Sequence, residues 1–363
     1  MTTPKVAFVE WDTKVPFWKY EGKPSYMYDS ARVIDPTAFG ANATAMQGSL
    51  VGIKPFLDSG HLPDLLQYLN SRDCVFFATR FKWKETLEVV RQITTKKMLG
   101  FALTLDEYRG RVQMEDEYES AIELMHEVDM VTSFNEKHVP YLRYFTSTPV
   151  EYLPMAYPYS YVKTKRISSK EKDTITLLLP GTVWNGEAGG RRDDIASCAI
   201  AHALARGIPH ISIALMDRKM HNTNTHPAIL PIQLLDKEFG TDIVARTEIY
   251  PSMVWSAFLD FAKSFDFSIH WDWIWTTGRM AADMGALGIP HLGGNSDHAE
   301  HLFPGLSVSV MDELDLDIAV AKVKDILFSS DKKEGVLNRA DVWGKKLDYP
   351  EWNRWFVSLF GEL

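Results

Sequence analysis

The chain has 363 residues, more than one hydrophobic core usually holds, so we expect two domains. Its 45% hydrophobic and 24% charged residues are typical of a globular protein, and a net charge of −9 argues against broad, non-specific nucleic-acid binding. Two distant cysteines exclude a disulfide framework, and the absence of a signal core or of roughly 18 consecutive apolar residues predicts a cytoplasmic chain without a transmembrane segment.

The first half alternates apolar runs with helical patterns, which is typical of a parallel sheet covered by helices. A long polar and aromatic loop with three prolines separates the first strand from the first helix, and that helix ends at Ser59-Gly60-His61. The predicted elements are a strand at Lys5–Glu10, a helix from Gly40 to about Asp58, a strand at Cys74–Thr79, a helix at Lys84–Ile93, and strands at Lys97–Ala102, Asp129–Ser133 and Val150–Pro154.

The second half repeats the alternation after a polar, basic linker at Tyr157–Lys172. Two such series predict two Rossmann-like domains that face each other across a cleft. The elements are strands at Thr174–Leu179, His210–Leu215, Asp242–Arg246 and Phe265–His270, helices at Ala196–Ala205, Met253–Lys263 and Gly278–Leu287, and an amphipathic tail at Glu351–Phe360.

The most informative segment is Thr276–Asn295, TTGRMAADMGALGIPHLGGN. It follows an apolar strand, breaks at a glycine and enters a helix. Such a break directs backbone N–H groups outward and makes a ready site for an anion. The second break, at Gly288-Ile-Pro290, ends the helix and returns the chain to another strand.

This segment resembles the donor-sugar half of GT-B-fold glycosyltransferases, whose pattern is E-x-x-G-x-x-x-x-E-A-x-A-x-G-x-P-V. Gly278 matches the first glycine, Asp283 the second glutamate, and Gly288 and Pro290 the G-x-P, whereas Trp275 replaces the first glutamate. The resemblance implies an α/β GT-B fold with a C-terminal helix that crosses back to the first domain. It implies an acceptor-side domain at 1–160, a donor domain at 161–335 and the returning helix at 336–363.

The resemblance also implies donor-binding residues in the first domain. There, Gly40 and Ala41 stand for the paired glycines that approach the phosphate or the transferred sugar, and Gly60-His61 matches the G-H that leads into the second strand.

In the donor domain, the backbone of Thr276, Thr277 and Gly278 is expected to hold the diphosphate, and Arg279 is a candidate for pairing with phosphate. Asp283 matches the glutamate that binds the donor ribose, although a solvated helix aspartate explains it equally well.

The family pattern G-R-x-x-x-K-G is only partly preserved in this domain. Gly181 and Thr182 stand at its start, and the basic pair is missing. We expect Arg191 or Arg192, which follow closely, to supply the lost positive charge.

Two more donor contacts are predicted less directly. Tyr250 is a candidate for stacking on the nucleobase, with core packing as the alternative. His270 is a candidate contact of the sugar or the phosphate, with a structural hydrogen bond as the alternative.

The implied activity is transfer of a hexosyl or related group from a nucleotide-diphosphate sugar, such as a UDP-sugar, to an acceptor hydroxyl. The helix pattern resembles retaining enzymes of the glycosyl transferase group 1 type, whereas inversion would need a general base, for which Asp12 and His61 are candidates. We expect no bound metal or other cofactor. Asp283 and His270 complete the candidate catalytic set.

The acceptor is left open. Basic and aromatic residues in the first domain suit a polyanionic acceptor, such as a hydroxymethylated DNA base, or a glycan or lipid-linked saccharide. The alternatives are a nucleotide-sugar epimerase of the same fold and a degenerate GT-B protein that binds a nucleotide or sugar without transfer. Trp275 and the missing basic pair favour the degenerate protein.

Overall fold

A computed structural model describes residues 3–11, 42, 45–46, 48–78, 82–101, 115–167, 173–180, 194–217, 229–251, 253–307 and 316–361. The chain divides into two compact units. The first unit contains Met1–Pro158 and the C-terminal segment Lys346–Leu363, and the second contains Tyr159–Lys345. Each unit is built around its own parallel sheet.

The sheet of the first unit has six parallel strands in the order β2-β1-β3-β4-β5-β6. Its central strands are buried almost throughout, as expected where helices cover both faces of a parallel sheet. The strands are β1 (Val6–Glu10), β2 (Ser49–Gly52), β3 (Cys74–Phe77), β4 (Lys96–Phe101), β5 (Met130–Ser133) and β6 (Val150–Tyr152). The helices before the second unit are α1 (Lys54–Ser59), α2 (Leu62–Asn70), α3 (Trp83–Val90), α4 (Glu115–His126) and α5 (His138–Leu142).

The C-terminal helix belongs to the core of the first unit. Trp352, Phe356 and Leu359 recur at helical spacing and are buried in the same cluster as β1 and β3. The Phe356 ring lies 6.1 Å from that of Phe8 and 6.0 Å from that of Phe76. The predicted return of the C-terminal helix to the first domain is therefore confirmed.

The sequence-based description of the region after residue 40 is wrong in one respect. The predicted helix to Asp58 is interrupted by β2, which pairs with β1 through Ala7 and Ser49. Gly60 then ends α1 with a left-handed φ of 74°, and His61 precedes α2. Gly60-His61 therefore joins two helices and does not lead into the second strand. A four-residue strand has too little sequence pattern to stand out from a helix, and its pairing with β1 determines its structure.

The sheet of the second unit has five parallel strands in the order β11-β10-β7-β8-β9. The strands are β7 (Ile175–Leu179), β8 (Ile211–Asp217), β9 (Thr247–Pro251), β10 (Phe267–Thr276) and β11 (His291–Ser296). The helices of this unit are α6 (Tyr159–Lys163), α7 (Asp194–Gly207), α8 (Leu230–Phe239), α9 (Trp255–Ala262), α10 (Arg279–Leu287), α11 (Asp297–Leu302), α12 (Leu316–Leu327) and α13 (Ser330–Leu347), and the C-terminal helix of the first unit is α14 (Tyr349–Gly361).

Two further predictions of local structure are wrong in this unit. The strand predicted at Asp242–Arg246 is a 3₁₀ turn at Val244–Arg246, and β9 follows it. The Asp236 carboxylate accepts the backbone N–H groups of Ile243 and Val244 at 3.0 and 2.8 Å, which occupies these donors before the strand begins. The predicted irregular linker contains α6, whose Tyr159 is buried.

The strands predicted at the positions of β1, β3, β4, β5, β6, β7, β8 and β10, and the helices predicted at those of α3, α7, α9, α10 and α14, are present, with bounds that differ by a few residues. No helix bounds are predicted from the sequence for α2, α4, α5, α8, α11, α12 or α13. In the described part of the chain, no helix combines the length and the apolar character needed to cross a membrane.

Candidate functional site

The topology of the second unit identifies one edge of its sheet as the candidate site. β7 lies between β8 and β10, so the chain leaves the centre of the sheet in opposite directions in its two halves. Ligands of open parallel sheets bind beyond the carboxyl ends of the strands at such a switch point. Pro180 follows β7 there, and Thr276, Thr277 and Gly278 end β10 and lead into α10.

Gly278 has a backbone conformation and surroundings that require glycine. Its φ of 73° and ψ of 41° lie in the left-handed region. A Cβ atom at this position would lie 2.3 Å from Ser296 Oγ and 2.7 Å from Ser296 Cβ. The backbone therefore turns sharply into α10 without a side chain, and the amino end of this nine-residue helix faces the carboxyl edge of the sheet.

The loop before α10 is held by the neighbouring strand and helix. Thr276 pairs with Ser296 at the ends of β10 and β11. Ser296 caps α11 by accepting the Ala299 N–H at 3.2 Å, and the His298 N–H donates to the Thr277 carbonyl oxygen at 3.1 Å. These contacts with β11 and α11 fix the position of the predicted diphosphate loop.

Asp283 lies inside the protein rather than on a solvated helix face. Only 1% of its surface is exposed. Its Oδ1 accepts the indole N–H of Trp255, the first residue of α9, at 2.8 Å. The structure thus rules out the solvated alternative, and it places the carboxylate in a hydrogen-bonded pair that the sequence did not predict.

His298 is a buried polar residue to which the sequence analysis assigned no role. Its side chain is fully enclosed, and in the described structure neither ring nitrogen has a hydrogen-bond partner. Burial, with a contribution from nearby His301, lowers its pKa to about 3, so the imidazole is neutral. The local sequence signal was a helix start at Ser296 before Asp-His-Ala-Glu-His, and the tertiary hydrogen bond from the His298 N–H to Thr277 places this residue beside the loop.

The structure does not bring all predicted donor contacts together. His270 is half-buried in β10 and pairs with Gly293 of β11. Tyr250 lies on β9, separated from β10 by β8 and β7, about 14 Å away at the usual strand spacing. Its ring packs on Phe261 at a centroid distance of 4.6 Å. Arg279 is half-buried at the first position of α10.

In the first unit, His61 is about half exposed, and its Nδ1 lies 2.9 Å from Asp64 Oδ2. Several candidates fall outside the described residues, namely Asp12, Gly40, Ala41, Gly181, Thr182, Arg191 and Arg192. Within the described ranges, no three His, Cys, Asp or Glu side chains form a group that would hold a metal ion.

No protein-family profile and no curated protein matches the sequence. Solved structures match over almost the entire chain. Anabaena HepE in complex with UDP-glucose is 11% identical, with a TM-score of 0.62 over 99% of this chain and 100% of its own. The α,α-trehalose 6-phosphate synthase of Burkholderia multivorans is 8% identical, with a TM-score of 0.65 over 99% and 97%. The N-terminal domain of Candida albicans trehalose-6-phosphate phosphatase is 10% identical, also with a TM-score of 0.65 over 99% and 97%.

These similarities cover both units and the returning helix. Because the sequence identities are low, the similarities show the fold alone. One of the three proteins is named for a phosphatase, so the fold by itself does not identify a reaction. Two parallel Rossmann-like sheets, a switch point in the second and a C-terminal helix packed on the first give this chain the GT-B fold.

Proposed function

We propose that this protein is a glycosyltransferase that moves a sugar from a nucleotide-diphosphate sugar to an acceptor hydroxyl. The observation that carries the proposal is the full-length similarity to structures that include HepE in complexes with UDP and with UDP-glucose. The similarity covers 99% of this chain in both complexes, so neither unit is an unrelated addition.

The amino end of α10 is the proposed diphosphate site. A departing nucleoside diphosphate carries negative charge, and the positive end of a helix stabilises such charge. Gly278 lets the backbone turn into α10 close to Ser296 because it has no Cβ atom, and Thr276, Thr277 and Arg279 flank this turn. The contacts of this loop with β11 and α11 support a preorganised site, which avoids reorganisation during the reaction.

The segment after β7 is proposed to supply the positive charge. β7 pairs with β10 through Leu177 and Phe267, so the chain that continues from Pro180 starts at the same edge as the α10 loop. In this proposal Gly181 and Thr182 contact the donor phosphates, and Arg191 or Arg192 replaces the basic pair of the family pattern.

Asp283 is proposed to accept a ribose hydroxyl, with Trp255 holding the carboxylate in position. A carboxylate has two acceptor oxygens, and the Trp255 N–H occupies Oδ1. The resemblance of the α10 segment to group 1 enzymes favours retention, which needs no general base. His270 then contacts the sugar or phosphate, and Asp12 or His61 would act as base only in an inverting reaction.

The acceptor is proposed to be a hydroxyl on a polyanionic or glycan substrate. The basic, aromatic segments of the first half of the sequence favour this class. The three acceptor classes are a hydroxymethylated DNA base, a glycan and a lipid-linked saccharide. They are distinguished by measuring sugar transfer to each of them from the donor that the binding experiment identifies.

The first experiment is thermal stabilisation of the full chain by UDP, GDP, ADP and CMP. A ligand of the native state raises its stability as ln(1 + [L]/Kd). We expect one nucleoside diphosphate to raise the melting temperature of the wild type and to lose this effect in Gly278→Ala. Gly240→Ala is the matched control, because Gly240 also has a positive φ, 62°, but has no atom within 4 Å of a Cβ. No stabilisation by any nucleotide would contradict the donor site.

A second candidate function is binding of a nucleotide or sugar without transfer. The burial of Asp283 against Trp255 favours it, because the ribose must reach a carboxylate with 1% of its surface exposed. Asp283→Asn tests whether the Asp283 carboxylate contacts the ribose, since asparagine keeps the shape of the aspartate side chain and one of its two acceptor oxygens. Donor hydrolysis or sugar transfer by the wild type excludes a pure binding protein. Interconversion of sugar isomers without an acceptor would identify an epimerase instead.

A further inference from the structure

The two faces of the second sheet differ in character. Alternate residues on one face of β7 and β8, such as Leu177 and Ile213, are apolar and buried. The opposite face carries the small or polar residues Thr176, Ser212 and Ala214, together with the buried apolar residues Leu178 and Met216. Both faces of a parallel sheet are normally covered and strongly apolar, so the patch formed by Thr176, Ser212 and Ala214 is less apolar than usual.

This patch forms the floor of a cavity of about 580 Å³. That volume falls in the usual range for small-molecule sites. Register places Thr176 beside Ser212 and Ala214 beside Glu248, so the floor runs across β7, β8 and β9. The short side chains of the floor leave the space that larger residues would fill.

One wall of the cavity is aromatic. The ring centroids of Tyr250 and Phe261 are 4.6 Å apart, and those of Phe261 and Phe265 are 4.9 Å apart. All three rings are only partly buried. They therefore present a continuous apolar surface beside a polar floor, an arrangement suited to a ligand with both C–H faces and hydroxyl groups.

The charged groups of the cavity select against anions. Its described lining contains the carboxylates of Asp173 and Glu248 and no Lys, Arg or His. Glu248 accepts the phenol O–H of Tyr250, which fixes one carboxylate beside the aromatic wall. A phosphorylated ligand would meet like charge, whereas sugar hydroxyls would donate to these carboxylates.

We propose that this cavity binds a neutral saccharide at a site separate from the donor site, with the ring of Phe261 packing on a sugar face and Glu248 accepting a sugar hydroxyl. The cavity lining includes Asp173 and Thr174, which precede β7, and Phe265, which precedes β10. The donor segments follow the carboxyl ends of the same strands. Saccharide binding in this cavity therefore does not require that the chain transfers sugar.

The test is a binding titration of the full-length chain with maltotriose and cellotriose, which are neutral α- and β-linked probes, and with spermidine as a cationic probe. The variants are Glu248→Gln and Phe261→Leu, which keep side-chain size but remove the charge or the ring. Glu238→Gln and Phe239→Leu are matched controls on exposed positions of α8. We expect a trisaccharide to bind, its Kd to rise about tenfold in each cavity variant, and no change in the controls.

The outcomes separate this proposal from the proposed function. Stabilisation by a nucleotide is expected to be equal in wild type and both cavity variants, because the donor site is elsewhere. If folded Glu248→Gln or Phe261→Leu loses the stabilisation by a nucleotide, the claim that the cavity is separate from the donor site is overturned. Failure of both trisaccharides to bind, an unchanged Kd in Glu248→Gln and Phe261→Leu, or selective binding of spermidine would each overturn the proposal. Glu248 is exposed, so Glu248→Gln keeps the test decisive even if Phe261→Leu is unstable.

Discussion

Replacing Asp341 is expected to release the carboxyl end of the donor helix α10. Arg166 Nη1 donates to Asp341 Oδ2 at 3.1 Å, and Nη2 donates to Oδ1 at 2.5 Å. The same guanidinium donates to the carbonyl oxygens of Gly285 and Ala286, both at 2.7 Å. Asp341 thus fixes the cation that caps the last turn of α10, where positive charge also stabilises the helix dipole.

The size of the effect follows from what Asp341→Ala leaves behind. Arg166 and Lys163 would lose a common carboxylate while their side chains are only 24% and 40% exposed. Breaking a buried pair costs about 3–5 kcal/mol, and a hydrogen bond to a charged group contributes about 1.5–3 kcal/mol. Because water reaches both cations in part, we expect a loss of about 2–3 kcal/mol, or about 4–12 °C in melting temperature.

The assay is thermal and urea unfolding of Asp341→Ala, Arg166→Ala and the double variant. The control is Asp260→Ala, which removes a half-exposed carboxylate paired with Lys165 and Lys263 and is expected to cost at most about 1 kcal/mol. Two results would refute the coupling of Asp341 and Arg166 at the end of α10. One is that the losses of unfolding free energy add in the double variant, and the other is that Asp341→Ala and Asp260→Ala lose equal amounts.

The same contact predicts a pH dependence. Burial raises the pKa of Asp341, but hydrogen bonds from Arg166 and Lys163 outweigh it, and the pKa lies below its ordinary value. A lowered folded-state pKa stabilises the protein above the unfolded-state value and loses this contribution as pH falls through the folded-state value. The stability difference between wild type and Asp341→Ala should therefore shrink below about pH 4. A difference that grows on acidification would contradict this sign.

Phe356→Ala should cost about 3–5 kcal/mol in urea unfolding because it leaves a cavity between α14 and the first sheet, and a loss below about 1 kcal/mol would contradict the packing of this helix. Trp255→Phe should cost about 1–3 kcal/mol, since Asp283 loses a buried hydrogen bond, and unchanged stability would show that the bond contributes nothing. Asp236→Asn should lower the melting temperature by weakening the two backbone hydrogen bonds before β9, and faster amide exchange at Ile243 and Val244 would verify the cause.

Much of the fold was predictable because strongly apolar segments and glycine-terminated helices carry their own signals. Residues 6–9 of β1 and residues 74–77 of β3 are continuous apolar runs, which is typical of a parallel sheet covered on both faces. The helix at Arg279–Leu287 is bounded by glycines that both have a left-handed φ, as its sequence indicated.

The predictions that were wrong concern short elements whose structure depends on contacts with other parts of the chain. β2 has four residues and depends on its pairing with β1, and the start of β9 depends on where the Asp236 carboxylate binds the backbone. The partner of β2, β1, is distant from it in the sequence. Which backbone N–H groups bind the Asp236 carboxylate cannot be deduced from residue propensities. Short elements are decided by such contacts because their intrinsic preferences are small.

The sequence by itself determined the candidate donor segment, since a strand, a glycine and a helix in succession leave few conformations for Thr276–Leu287. Only the tertiary structure decided that Asp283 is enclosed against Trp255, that Tyr250 lies three strands from β10, and that His298 adjoins the loop. The physical reason is the distance along the chain over which the deciding interactions act. Local backbone conformation follows from neighbouring residues, whereas burial and strand order follow from hydrogen bonds and packing between segments far apart in the chain.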